Sequence, residues 1–259
     1  MHPADIAKSI HDSPDIAEKR RLFEDIASSS TKAHVLSELS SEHVVQVLRG
    51  IPLTELSALI KELPRDDATD ILRVLPQEAV PAILRGIAHE EAAQLECLLT
   101  YPKRSAGGVM TTQYVAIHQD ATVDTAFKAI QKSSIEEMIY EIYVTNDQGN
   151  LMGVVALRAL LRASRKARIT EIMDREPIFV TTETNQEEVA DKVARYNLLS
   201  IPVVHPTGKL MGIITIDDVV DVIQEETTED MLRMSGISTT EQDDPQFYVS
   251  GLQEAKRRL

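Results

Sequence analysis

The chain has 259 residues, 43% hydrophobic and 26% charged, an ordinary globular composition in a length that admits more than one domain. Its 41 acidic against 27 basic residues leave a net charge of −14, which argues against a nucleic-acid partner and favours a cation ligand, because phosphates are held by basic clusters. Cys97 is the only cysteine, so intramolecular disulfides and cysteine-based zinc sites are excluded.

Cys97 lies in the apolar run Leu95 to Leu99 and reads as inert core. The amino terminus lacks the basic and apolar regions of a signal peptide, and no apolar stretch is long enough to cross a bilayer. The polypeptide as given is therefore expected to be soluble and to face the cytoplasm. Seven scattered histidines form no H-x-x-x-H pair, and P-loop, G-x-G-x-x-G and G-x-S-x-G motifs are absent, so no enzymatic activity is expected.

From Lys32 to Leu99 the chain repeats every twelve residues: Leu39, Ile51, Leu63, Leu75, Ile87 and Leu99 are evenly spaced, and Pro52, Pro64 and Pro76 follow three of them. Each proline should stop one helix and start the next at its first turn. Helices of roughly ten residues are marginal alone, so they are expected to stack around a shared core as a small superhelix. Asp66, Asp67 and Asp70 gather at one predicted helix start. They read either as first-turn acids answering the helix dipole or as one face of a metal-dependent seam.

Tyr101 to Gly108 breaks the rhythm and reads as a hinge or linker. A duplication follows. Ile142 to Val144 matches Ile201 to Val203, and Gly149-Asn-Leu-Met-Gly-Val154 matches Gly208-Lys-Leu-Met-Gly-Ile213, at an offset of 59 residues. Val109-Met110 matches Ile172-Met173 at 63, so the first copy carries about four extra residues around Gln131 to Met138. Each copy predicts a strand (Val115 to Ile117; Ile178 to Thr181), a helix (Val123 to Lys132; Gln186 to Tyr196), two strands joined by a Gly turn (the second being Leu151 to Val155; Leu210 to Ile214) and a final helix.

The last predicted helix is the most unusual. Asp217, Asp218, Asp221, Glu225, Glu226, Glu229 and Asp230 place seven carboxylates in fourteen residues without one Lys or Arg. Several recur at i,i+4, where like charges destabilise an isolated helix by a few tenths of a kcal/mol per pair, about 0.2–0.5. Val219, Val220, Val222 and Ile223 supply an apolar flank, so a packed helix is expected. Its acids read as a solvated face or as a site for a hard divalent cation.

The tandem β-α-β-β-α order resembles the cystathionine-β-synthase (CBS) domain pair. That resemblance implies sheet-to-sheet packing of the copies, a disc-like dimer, and adenosine-nucleotide binding through a Ser/Thr-x-x-Asp at the end of the last strand. The second copy has Thr215-Ile-Asp-Asp218, whereas the first has Ala156-Leu-Arg-Ala159, lacking hydroxyl and carboxylate. Arg158 is either a phosphate donor or an exposed surface residue. Ile178, Phe179, Leu198, Ile201 and Pro202 either line an adenine pocket or belong to the core.

Stacked helices, then Ser105-Ala-Gly-Gly-Val-Met-Thr111, a CBS pair and an acidic helix ending in Thr-Glu-Asp230 resemble the MgtE family of magnesium channels or transporters over nearly the whole chain. The resemblance implies a multidomain α and α+β architecture. Its parts are a helical domain at 1–100, a linker at 101–108, CBS repeats at 109–170 and 171–232, and a connecting segment with the start of a plug helix at 233–259. It implies the cytosolic, magnesium-sensing part of a homodimer. That part would sit on the cytoplasmic side of the membrane, with its own transmembrane pore as partner, and Lys256, Arg257 and Arg258 would be juxtamembrane charges.

By position, the family's Mg2+ ligands fall on Asp218, Asp221, Glu226, Glu229, Asp230 and Glu187, with Asp67, Asp70 or their neighbour Asp66 facing them. ATP or another adenosine nucleotide is the second ligand that the resemblance admits, through Thr215 and Asp218. Asn185 and Asn197 stand where the family often has aspartates, which implies that one or two ion sites are weakened or lost.

Overall fold

The computed structural model describes residues 2–133, 135 and 138–234, with the backbone alone at 229, 230 and 232–234. Eight helices form the amino-terminal part: α1 (Pro3–Asp12), α2 (Ile16–Glu24), α3 (Ser29–Ser37), α4 (Ser41–Leu48), α5 (Leu53–Glu62), α6 (Arg65–Val74), α7 (Val80–Leu84) and α8 (His89–Leu99). Each packs on its next-but-one neighbour, α1 on α3 on α5 on α7 and α2 on α4 on α6 on α8. The result is two interleaved columns around one apolar core. The twelve-residue positions sit at the helix junctions, with Leu39, Leu63, Leu75 and Ile87 buried.

Pro52 and Pro64 each occupy the N-cap position just before α5 and α6, one step earlier than the expected first turn. After Pro76 the chain makes a turn closed by Ala79 N–H to Pro76 O (2.8 Å) before the five-residue α7. The expectation for Cys97 is corrected: it is a free thiol on an exposed face, because α8 turns Leu95 and Leu98 inward.

The carboxy-terminal part opens with α9 (Ala106–Val109) and then runs β1 (Ala116–His118), α10 (Val123–Lys132), β2 (Glu141–Thr145), β3 (Leu151–Ala156) and α11 (Leu157–Arg162). A 3-10 turn at Ile169–Glu171 leads into β4 (Val180–Thr181), α12 (Gln186–Tyr196), β5 (Ser200–Val204), β6 (Leu210–Thr215) and α13 (Ile216–Met234). Two three-stranded sheets result, ordered β1-β2-β3 and β4-β5-β6, each with one parallel and one antiparallel ladder. Both antiparallel ladders shift register at the same place, Val144/Thr145 and Val203/Val204, so the duplication extends to the irregularities. The extra residues expected around Gln131 to Met138 fall partly outside the described residues.

The two repeats are stitched by a near-symmetrical exchange. Leu151 N–H donates to Gly208 O (3.1 Å) and Leu210 N–H to Gly149 O (3.0 Å). The segment ahead of each repeat crosses to the other's last strand, Thr111 pairing with Ile213 and Asp174 with Val154. Gly153 and Gly212, the repeated Met-Gly positions, face these crossing segments. A Cβ on Gly212 would stand 2.5 Å from Thr111 O and 2.8 Å from Met110 Sδ. Between the sheets Tyr143, Val154, Leu210 and Ile213 form a shared core, and the buried Tyr143 hydroxyl pairs with Ser200 Oγ at 2.8 Å.

Residues 101–108, read as a linker, are wedged in place. Ala106, Gly107 and Gly108 are buried, and a Cβ on Gly107 would meet the Tyr101 ring at 2.6 Å. Arg73 of α6 donates to Leu98 O (3.2 Å) and Tyr101 O (3.0 Å), fastening the helical columns to this segment.

Candidate cation cleft between the helical domain and the acidic helix

The face that α6 turns outward follows from what it buries. Ala68, Thr69, Ile71 and Leu72 point into the helical core, and Arg65 pairs with Glu91 of α8 at 2.9 Å. Asp67, Asp70 and Val74, spaced i, i+3 and i+7, are left on one outer stripe. On α13 the buried pair Val219 and Val222 packs into the second repeat's core, leaving Asp217, Asp221 and Gln224 on a parallel stripe. Val220 and Ile223, expected as part of the packed flank, are each 44% exposed.

These stripes face each other across a cleft of about 840 Å³. Its walls carry Glu38, Asp67 and Asp70 on one side and Asp217, Asp218, Asp221 and Glu225 on the other, with Lys103 at the junction. Asp70 has Arg73 Nε at 3.9 Å from Oδ1. Among the described residues, no three His, Cys, Asp or Glu side chains stand close enough to hold a metal ion together. The opposed carboxylates share a cleft without forming a closed cage.

The electrostatics register that crowding. Enclosure by protein raises the Asp70 carboxyl above its usual range even though 56% of the side chain meets the water of the cleft; Lys103 and Arg73 oppose the shift and Glu225 adds to it. Burial also raises Asp221, helped by Glu38, Glu225 and Asp217. Burial pushes Asp218 up to about 6; hydrogen bonds from Thr215 resist this, while Asp217 and Asp221 reinforce it. Asp218 Oδ2 accepts from the Thr215 hydroxyl at 2.6 Å and from the Thr215 backbone N–H at 3.2 Å, the reciprocal half of a capping box at the start of α13.

A carboxyl whose pKa is raised by folding binds more protons folded than unfolded. It adds stability below its unfolded pKa, and that stability is lost as pH rises through the folded one. The chain without divalent ions is therefore expected to lose on the order of 1–2 kcal/mol of cleft-related stability between about pH 4 and 6.5. Urea denaturation across that window checks this, and Asp218→Asn should flatten the slope while the parent keeps it.

The structure brings Asp67, Asp70, Asp218 and Asp221 together, and it adds Glu38, Asp217 and Glu225, which the positional reading missed. Asp217 and Glu225 were legible in the acidic run; Glu38 carries no signal in sequence. Asp66 sits on α6 but does not line the cleft. Glu226 is turned toward α12, where Oε1 accepts from the buried Gln186 Nε2 at 2.7 Å. Glu187 lies exposed in the first turn of α12. The side chains of Glu229 and Asp230, and the segment 235–259 with Lys256, Arg257 and Arg258, lie outside the described residues.

Asn185 and Asn197 have local roles. Asn185 Oδ1 caps α12 by accepting from Glu187 N–H at 2.9 Å, and Asn197 ends that helix in the left-handed region (φ 51°) that Asn tolerates. Of the nucleotide candidates, Ile201 and Pro202 are buried in β5, with Ile201 in the second repeat's core; Ile178 and Leu198 pack half-buried against that core. Phe179 is 49% exposed, and Arg158 is exposed on α11.

A stacked-helix domain is joined here to a tandem pair of three-stranded repeats, with an acidic cleft at the joint. The description "MgtE intracellular N domain" matches residues 1–104, and "CBS domain" matches 106–166 and 169–225. The chain is 40% identical over 146 residues to the magnesium transporter MgtE of Thermus thermophilus, covering 56% of this chain and 32% of the relative. It is 35% identical over 170 residues to that of Bacillus subtilis, covering 65% and 37%.

Among solved structures, the cytosolic domain of the Mg2+ channel MgtE in complex with ATP is 34% identical with a TM-score of 0.79, covering 86% of this chain and 90% of that one. The soluble part of a magnesium transporter is 25% identical with a TM-score of 0.66, covering 87% and 98%. The chain belongs to the MgtE family, a family of transporters and not of enzymes. It spans about a third of the length of the curated relatives it matches. No helix among the described residues is long and apolar enough to cross a membrane.

Proposed function

We propose that this chain is the magnesium-sensing regulatory region of a magnesium transporter, on the cytoplasmic side of the membrane. In this reading it gates a transmembrane pore by closing its helical domain onto the CBS pair. The observation that carries the reading is the cleft with carboxylates on both walls. Magnesium keeps most of its water and is held by one or two carboxylates, so an open cleft of opposed acids suits it without a cage. Asp67, Asp70 and Glu38 from the helical domain would share hydrated ions with Asp217, Asp218, Asp221 and Glu225. Glu226, Glu229, Asp230 and Glu187 would extend the acidic surface toward the second repeat.

The magnitudes require several ions. At ten times its dissociation constant one ion contributes roughly 1.4 kcal/mol, whereas moving an equilibrium from 1:99 to 99:1 takes about 5.5 kcal/mol. About four ions of that strength are needed, and seven cleft carboxylates can supply them. A homodimer fits the apolar side chains left exposed on and beside α12 and α13, namely Tyr196, Leu199 and Ile223.

The ATP complex of the solved relative supports a second reading, in which this chain binds an adenosine nucleotide; the CBS resemblance would put Arg158 toward the phosphates and Leu198 and Ile178 toward the base. Thr215 and Asp218 bond to each other, so a ribose there would displace an existing pair. Calorimetry separates the two. Weak multi-site magnesium binding without nucleotide supports the cation reading, and tight ATP binding in a chelator, with no magnesium heat, overturns it in favour of the second.

A further inference from the structure

We propose that Lys103 is a resident counter-cation of the acidic cleft, competing with incoming divalent ions and so setting the concentration at which the cleft closes. This rests on the closure reading above and adds a residue of the opposite sign to it. Lys103 is the cationic residue in the lining of a cleft whose other charged residues are all carboxylates.

The turn that carries it is held through its neighbouring residues. Ser105 N–H and Oγ both donate to Pro102 O, at 3.1 and 2.7 Å, closing a tight turn around residues 103 and 104. Gln186 N–H at the start of α12 donates to Arg104 O at 3.1 Å, and Ser105 bridges to Asn185. Gly108 lets α9 press against the turn, since a Cβ there would stand 2.6 Å from Lys103 O. Arg73 holds the preceding residues through the Leu98 and Tyr101 carbonyls. The turn is thus held by α9 and α12, and Lys103 lines the cleft with Asp70 within reach of its charge.

Arg73, the other cation beside Asp70, is anchored by one terminal nitrogen to both of those carbonyls, whereas a lysine ammonium is a compact charge on a flexible stem that can yield to an ion. In support, the field of Lys103 holds the Asp70 carboxyl lower than enclosure alone would leave it. A monovalent cation built into the cleft relieves part of the carboxylate repulsion without magnesium, and it repels a divalent ion entering the same space.

The test compares the 259-residue chain with Lys103→Met, which keeps the stem and loses the charge, and Lys103→Arg, which keeps the charge. Magnesium is titrated by scattering at low and high monovalent salt. The Met variant is expected to reach half-closure at roughly three- to tenfold lower magnesium in low salt, with the gap shrinking in high salt, while the Arg variant stays within about twofold of the parent. A Met variant that closes at unchanged or higher magnesium overturns the proposal and makes Lys103 a bystander or a closing tether. A parent chain that does not respond to magnesium overturns the closure reading itself, and this proposal with it.

Discussion

Removing one carboxylate from each wall of the cleft, Asp70→Asn with Asp221→Asn, is expected to raise the magnesium concentration for half-closure by roughly two- to threefold. The two residues belong to different domains and line the same space. Each substitution keeps the size of the side chain and an oxygen acceptor while deleting a charge. Losing the equivalent of one bridged ion costs about 1.4 kcal/mol of closing free energy, a factor of ten in the closing equilibrium, and with about four ions acting together that moves the magnesium midpoint roughly twofold. Glu225 couples to both carboxyls, so the two sites are not independent, and the double variant should exceed the sum of the singles. Scattering midpoints for the parent, both singles and the double form the cycle that checks this. A pair substituted on one wall only, such as Asp217→Asn with Asp221→Asn, should weaken closure less.

Gly212→Ala is the structural change with the largest expected cost, about 3 kcal/mol or more. Its methyl group would meet the Thr111 backbone and the Met110 side chain, and the backbone contact cannot be relieved by a rotamer change. The crossing segment 110–111 pairs with Ile213 through two backbone hydrogen bonds of 2.9 and 3.0 Å, so displacing it would also loosen the seam between the repeats. Thermal unfolding should show a lowered midpoint for Gly212→Ala. Gly208→Ala, at a turn with φ +90° and open space around it, should show a smaller loss from backbone strain alone.

Much of this architecture was legible. The predicted helices Val123 to Lys132 and Gln186 to Tyr196 coincide with α10 and α12, because each opens on a side-chain cap, Thr122 or Asn185, and carries a clear apolar stripe. The 59-residue offset maps β2 onto β5 and β3 onto β6 residue for residue. Strand starts were less clear: β1 begins one residue later than expected and β4 two, since ladder pairing and not local pattern decides where a strand begins.

The charged face of α13 was visible as seven acids within fourteen residues, but the wall opposite it was not complete. Glu38 lies nearly two hundred residues away in sequence, at the end of α3, and only the assembly of the two helical columns carries it to Asp221. The capping roles of Asn185 and Asn197 depend on where α12 begins and ends, which the residues alone leave open. The contact of Glu226 with Gln186 across to α12 has no signal in sequence. Cys97 read as core because an apolar run does not reveal which residue of α8 faces out.

Small-angle scattering of the 259-residue chain, taken from chelator to tens of millimolar magnesium, bears most directly on closure of the helical domain onto the CBS pair. The expected result is a cooperative fall in radius of gyration that sodium at matched ionic strength does not reproduce and that Asp70→Asn with Asp221→Asn shifts to higher magnesium. A radius of gyration that stays constant across the titration would contradict it.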